Sequence, residues 1–376
     1  MEHYLDNAAT TQVCPEAAEA ALAAMTRVYG NPSSTHRKGR EAKRLLDTAR
    51  GQVSAALGCR PEELVFTSCG SESDNWAVLA GAEAMKRRGK HVISSAVEHD
   101  ALRKSLDELE ARGFEVTRLK PNAQGGIDPE AVAAALRDDT ILVSLMLVNN
   151  ETGAVTDISA VSRLLKEAGC PALLHTDAVQ GFLKLPFTAK SLGADLISVS
   201  GHKIHAPKGI GALYIRNGLR LRPLILGGGQ EGGRRAGTEA LPQIAAFGAA
   251  CEVGHADFAK NTARIRALRD DTAEALRREI PELVVIGGGA PHILSVSLPG
   301  WRSEVLINYL EAREVYVSRS SACKKGARSH VLEAMGLRPA VIDGAIRVSF
   351  SRLSTEDDAA ALIEGLKAAR DTLAHR

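Results

Sequence analysis

From about residue 62 to residue 215, short runs of β-branched and aliphatic residues alternate with longer stretches whose apolar positions recur at helical spacing. The runs predict seven strands, at Leu64–Thr67, His91–Ser95, Phe114–Leu119, Ile141–Val148, Ala172–His175, Leu196–Ser200 and Gly211–Ile215. Strands and helices in alternation read as an α/β fold with a mostly parallel seven-stranded sheet flanked by helices. In such sheets ligands bind beyond the carboxyl ends of the strands. Residues with chemistry do follow strands here: Ser68-Cys-Gly-Ser-Glu72 after the first, Asn149-Asn150-Glu151 after the fourth, Asp177 after the fifth and His202-Lys203 after the sixth.

Upstream, helical patterns cover Pro15–Tyr29 and Gly39–Leu57. Downstream of a glycine-rich loop, Gly227–Gly233, one long helical stretch from about Glu239 to Arg278 is predicted to connect two domains. Beyond Pro281 the pattern becomes strand (Ile293–Leu298), helix (Glu304–Arg313), strand (Val315–Ser318), helix (Ser329–Met335), strand (Ala345–Phe350) and helix (Thr355–Leu373), a smaller C-terminal α/β domain. A length of 376 residues suits one large domain and one smaller one, at roughly 100–200 residues per domain.

Composition narrows the partners. With 47 basic and 45 acidic residues the formal charge is +2, so nucleic acid is not indicated. The longest apolar run, around Thr140–Val148, is far short of the roughly 20 residues of a membrane helix. The start, Met1–Asp6, lacks the marks of a secretory signal, which predicts cytoplasmic residence. Six scattered cysteines without a CxxC pair (Cys14, Cys59, Cys69, Cys170, Cys251, Cys323) read as reduced thiols rather than a disulfide frame or zinc site.

An aldehyde cofactor that condenses with a lysine needs that lysine, a carboxylate for a pyridinium nitrogen and donors for a phosphate. Each is available at a strand end. Lys203 follows a strand, with Ser200 and His202 placed to donate to phosphate oxygens. Asp177 would keep a pyridinium nitrogen protonated, although an Asp in that position also caps helices. Gln180, one turn later, would reach a ring hydroxyl. Gly70 and Ser71 open a helix whose first amides suit a phosphate, and His99 could stack on the ring and move protons. His202 and His205 share an HxxH spacing, but no third ligand accompanies them, so no metal is expected. Gly227–Gly232 matches the dinucleotide pattern GxGxxG, yet Glu252, about 20 residues on, lies in an alanine-rich helical pattern instead of ending a second strand. A loop holding Arg234, Arg235 and Thr238 near a site is the better reading.

Taken together, the chain resembles the cysteine desulfurases of the class V aminotransferase group, pyridoxal-phosphate enzymes of fold type I. The likeness runs from Tyr4-Leu-Asp-Asn-Ala-Ala-Thr-Thr11 through Gly30-Asn-Pro-Ser-Ser-Thr-His36, Val65-Phe-Thr-Ser68, Glu98-His99, Val148-Asn-Asn-Glu151 and Ser200-Gly-His-Lys203 to Ile346-Arg-Val-Ser-Phe350. It implies a pyridoxal 5'-phosphate cofactor on Lys203, with Asp177 at the ring nitrogen, Gln180 and Asn150 near the ring hydroxyl, His99 over the ring, and Gly70, Ser71, Ser200 and His202 on the phosphate. It further implies a large cofactor-binding domain of residues 13–255 and a small domain of residues 1–12 with 256–376. Thr238 would reach the phosphate of a neighbouring subunit, hence a homodimer. Arg347 matches the arginine that grips the substrate carboxylate, beside Asn150. Cys323 matches the loop cysteine that takes the sulfur of L-cysteine as a persulfide, and Lys324, Lys325 and Arg328 supply the positive charge that favours a thiolate. The sulfur would pass to an acceptor protein, for iron–sulfur clusters or thio-cofactors.

Two departures stand out: Gly70-Ser71 replaces the usual Ala-Thr, and the path from Cys323 to Val331 is short and begins with Lys-Lys. The second bears on the acceptor, because a shorter loop sweeps a smaller radius. Rival readings are a selenocysteine lyase or β-eliminating cysteine lyase on the same scaffold, a non-catalytic assembly partner, and a dinucleotide oxidoreductase.

Overall fold

The computed structural model describes residues 2–319 and 328–374. Cys323, Lys324 and Lys325 lie outside the described residues. The chain opens on β1 (His3–Tyr4), and the seven expected strands then appear in order: β2 (Leu64–Thr67), β3 (His91–Ser95), β4 (Glu115–Leu119), β5 (Thr140–Met146), β6 (Leu173–Asp177), β7 (Leu196–Ser200) and β8 (Gly211–Ile215). They form one sheet in the order β2-β8-β7-β6-β5-β3-β4. Every pairing is parallel except those of β8, which runs antiparallel to both its neighbours. All seven residues of β5 are buried, as expected of a strand covered on both faces.

Register places the strand ends. Asp177 of β6 is paired with Met146 on one side and Ser198 on the other, so the carboxyl ends of β5, β6 and β7 share one rim. The edge strand β2 has its outer hydrogen-bonding groups satisfied by side chains. Arg50 and Arg234 donate to the Leu64 carbonyl, and the Phe66 amide donates to Glu231. An edge closed in this way offers no template for another strand.

A second, four-stranded sheet has the order β12-β13-β10-β9 and is antiparallel, from β9 (Val284–Ile286), β10 (Ile293–Ser297), β12 (Ser318–Arg319) and β13 (Ala345–Ser349); β11 (Val315–Tyr316) pairs instead with β1. Its hydrophobic core, which includes Leu276, Val296, Leu306, Phe350 and Leu366, also takes in Leu5. From there the N-terminal segment crosses to the large sheet, where the Thr11 amide donates to the His202 carbonyl at 2.9 Å.

Four elements depart from expectation. The long helical stretch is two helices, Leu241–Ala256 and Phe258–Glu279, broken at Asp257 (φ −105, ψ 19). The first packs on helices Pro15–Thr26 and Arg37–Leu57, the second on helix Glu356–Thr372, so each half answers to a different core. The expected strand Val315–Ser318 is divided at Val317 between two sheets. Strand β9 and the short helix Pro339–Asp343 carried no pattern long enough to read. Among the described residues no helix is long and apolar enough to cross a membrane.

Candidate active site

At the shared rim lies a cavity of about 210 Å³, lined among others by Gly70, Ser71, His99, Asn150, Asp177, Gln180, Ser200, His202, Lys203 and Arg347. The residues singled out at separate strand ends are thus brought to one place. Thr238 is the exception within this chain: it is exposed and does not line the cavity.

Lys203 stands in a short turn after β7. Its Nζ donates to the carbonyls of Ala8 and Ala9 at 2.6 and 2.7 Å. Burial, and after it the charge of Arg347, lower its pKa to about 8, against the opposing pull of Asp6 and Asp177. A lysine so placed yields a fraction of nucleophilic amine near neutral pH that an ordinary lysine does not.

Asp177 ends β6 and accepts the Val179 amide at 2.9 Å. Burial raises its pKa, and the charges of His99 and Lys203 lower it in part. Asp74, on the same cavity wall, is pushed well up, first by burial and then by the charge of Asp177. The proton of this carboxylate pair therefore rests on Asp74 and the negative charge on Asp177. His175 Nε2 comes within 3.7 Å of Asp74, but this is no ion pair. Burial holds the His175 pKa down to about 3, and the ring bonds Ser144 and Ser198 instead.

The other side chains are tied down one by one. His99 caps helix Asp100–Ala111, its Nδ1 accepting the Ala101 amide at 3.1 Å, so the neutral ring carries its proton on Nε2. Gln180 donates to the Ala8 carbonyl at 2.8 Å. His202 lies 3.3 Å from the Thr10 hydroxyl, and burial followed by Lys203 and Lys208 lowers its pKa to about 4. Arg347, in β13, donates to the Asn150 carbonyl at 2.8 Å and to the Asp6 carboxylate at 2.9 Å. Its Nε is buried and has no partner among the described residues.

Ser200 Oγ is likewise buried without a partner, on the cavity wall. Close to it begins the helix Gly70–Met85, whose first amides have no carbonyl one turn back. At Gly70 a Cβ would stand 2.8 Å from Val179 Cγ2 and 3.6 Å from Ser200 Cβ. An orphaned hydroxyl, free helix amides and a position without a side chain make a cradle for a phosphate. With a buried carboxylate and a lysine of lowered pKa, the residues fit a flat, phosphorylated aldehyde.

The glycine-rich loop serves a different end from the one its pattern suggests. Gly227–Gly233 neither follows a strand of a βαβ unit nor opens a helix; Glu231 is turned inward at φ +50 and its carboxylate is bridged by Arg50. Arg235, further along, pairs with Glu72 at 2.9 Å, in the first turn of the helix that begins at Gly70. Asp74, Asp6 and the carbonyls of Ala8 and Ala9 are the functional groups that residue-by-residue reading missed. Only the placing of Asp74 one turn after Gly70 signalled any of them, and an Asp there reads equally well as helix polarity.

Comparison with known proteins gives a consistent result. The family described as Aminotransferase class-V matches residues 3–362. A cysteine desulfurase 2 of Trichormus variabilis is 44% identical over 358 residues, covering 94% of this chain and 89% of its relative. A cysteine desulfurase IscS of Methanosarcina thermophila is 40% identical, covering 96% and 90%. Among solved structures, a NifS-like protein superposes with a TM-score of 0.93 at 35% identity, over 99% of this chain and all of its own.

Proposed function

The chain belongs to the class-V aminotransferase family and is a pyridoxal-phosphate-dependent cysteine desulfurase, and from that premise we propose how its own residues divide the work. The observation that carries the assignment is Lys203: a buried amine of lowered pKa, held by two carbonyls on a cavity that also presents Asp177 and the unpartnered Ser200. When bound, pyridoxal phosphate supplies an aldehyde for an amine and a protonated ring that takes up electrons from the substrate's α-carbon.

Asp177 would keep the ring nitrogen protonated, its carboxylate facing the pyridinium charge. Ser200, His202, Ser71 and the Gly70 amide hold the phosphate. Gln180 and Asn150 lie at the ring hydroxyl, and His99 covers the ring with its Nε2 proton. Arg347 grips the carboxylate of L-cysteine through its fork, a task its free Nε suits. Lys203 Nζ would take the α-proton from the substrate and hold it for return. Cys323 Sγ, as thiolate, forms a bond to the substrate sulfur while the carbon–sulfur bond breaks with its electrons going to carbon. Protonation there yields L-alanine and leaves a persulfide on Cys323.

The finer biology belongs to the same reading. The two-domain division, residues 13–255 against 1–12 with 256–376, is supported by the place of Leu5 in the second core. A homodimer with Thr238 reaching the partner's phosphate is supported by the exposure of Thr238 and of Leu22, Met25, Tyr29 and Leu226. The persulfide goes to an acceptor protein that the short Lys324-Lys325 segment can meet, for iron–sulfur clusters or thio-cofactors, in the cytoplasm.

The test is incubation with L-cysteine and a thiol reductant, quantifying alanine, sulfide and pyruvate, with Cys323→Ser alongside. Equal alanine and sulfide, abolished in the variant, is the expected result. Pyruvate, or alanine undiminished in the variant, would make a lyase the better description.

A further inference from the structure

A second, smaller cavity of about 30 Å³ shares no lining residue with the first. It lies where Leu183-Lys184 and Ile204-His205 meet helix Phe258–Glu279 and Arg352. The loop it touches is therefore the one that carries Lys203, and Arg352 comes from the C-terminal part of the chain.

Its walls are cationic. Lys184 is 8% exposed, and its ammonium has no hydrogen-bond or ionic partner among the described residues. The Arg352 guanidinium pairs with no carboxylate among them either. His205 is 2% exposed, and its Nε2 is buried without a partner. Burial lowers the Lys184 pKa to about 8, and the one neighbouring charge that acts on it is Arg352, which lowers it further. On His205 the order is burial, Lys184 and Arg352, which bring its pKa to about 3 against the pull of the Gln12 carbonyl. Among the described residues no carboxylate offsets these groups.

Helix Leu241–Ala256 comes close to Leu183 beside the cavity. At Gly254, in helix Leu241–Ala256, a Cβ would stand 3.1 Å from Leu183 Cδ1 and 3.8 Å from Arg352 Nη1. Both Leu183 (φ +53) and His205 (φ +70) hold left-handed backbone without being glycine. Conformations of this kind persist only where the surroundings impose them.

Like charges confined without a counter-ion are costly. Loss of the Lys184 proton removes one of them but leaves Arg352, which stays charged at any working pH. A cavity of this size holds about one water-sized body. A monatomic anion matches that room better than phosphate, sulfate or a substituted carboxylate does.

We propose that this cavity is a halide site, in which one chloride ion sits between the Lys184 ammonium and the Arg352 guanidinium and ties the Lys203 loop to the C-terminal domain. Lys184 makes the site sensitive to pH, because its ammonium loses a proton as pH rises through about 8. His205, its Nδ1 2.8 Å from the Gln12 carbonyl, stays neutral over that range. Lys184 and His205 are the titratable groups on the cavity, and His292, the next ring, is kept neutral by burial and by Lys184. Chloride binding therefore takes up protons and tightens as pH falls.

The test uses the holoenzyme. Crystals soaked in bromide should show an anomalous peak between Lys184 Nζ and Arg352. Melting temperatures in chloride should exceed those in gluconate at equal ionic strength, more at pH 6.5 than at pH 8.5, and the difference should vanish in Lys184→Met. A cavity without anomalous signal, together with equal melting in the two salts, overturns the proposal. If Lys184→Met does not fold, the bromide map of the unaltered enzyme decides alone.

Discussion

At the scale of single residues, the proposed chemistry rests on two cationic side chains of the cavity. Lys203 is the first. A free lysine is mostly ammonium until about pH 10.4, whereas burial and Arg347 bring this one to about 8. Its reactive, unprotonated form thus grows tenfold per pH unit up to about 8 and levels off above. The rate at which cofactor-free protein takes up pyridoxal phosphate, followed by absorbance, should rise in the same way; a continued rise beyond pH 9.5 would contradict the placement. Arg347 is the second. Its fork is shared between Asp6 and Asn150, so Arg347→Lys keeps the charge but loses the geometry. The expected result is a KM for L-cysteine raised about tenfold or more, equivalent to about 1.4 kcal/mol, with cofactor absorbance unchanged. Lys203 and Asp177 were legible because each stands in a motif at a strand end, and Arg347, in the middle of β13, because Ile346-Arg-Val-Ser-Phe350 resembles a family motif. The carbonyls of Ala8 and Ala9 were not, since a backbone acceptor leaves no mark in a side-chain pattern.

At the scale of elements, the glycine-rich loop is the instructive case. Its spelling suits a dinucleotide fingerprint, but the loop is stitched to the edge of β2 by Glu231, Arg50 and Arg234. Glu231→Ala would leave Arg50 buried without its partner and the Phe66 amide unsatisfied. Breaking a buried pair from one side costs about 3–5 kcal/mol, and chemical unfolding of the variant should show a loss of that order, with Glu231→Gln losing less. The long helix that proved to be two helices makes the complementary point. Residues 239–278 carry a helical pattern in which Gly254, three residues before Asp257, is only a weak local mark of the break. The break arises because the two halves pack against different cores, a tertiary demand that overrides local preference.

At the scale of the whole molecule, exposed Leu22, Met25 and Tyr29 follow helical spacing on and just after helix Pro15–Thr26, and Leu226 adjoins the loop that leads to Thr238. Charged residues placed there, Met25→Asp or Leu226→Asp, should convert the proposed dimer to monomer in sedimentation, and cofactor retention should fall with it if Thr238 serves the partner's site. A dimer that survives both substitutions would move the interface elsewhere. The sequence by itself determined the large sheet, down to strands read nearly to the residue, because a parallel sheet buried on both faces demands unbroken apolar runs that few other structures tolerate. It pointed to the proposed reacting groups as well, since a lysine, an aspartate and phosphate donors stand together at strand ends. Only the tertiary structure decided which atoms meet. The crossing of residues 5–11 from the small sheet to Lys203, the resting of a proton on Asp74 beside Asp177, and the cationic cavity of Lys184 and Arg352 all join positions more than a hundred residues apart. Desolvation and charge there depend on what packs around a group, and no local pattern records it.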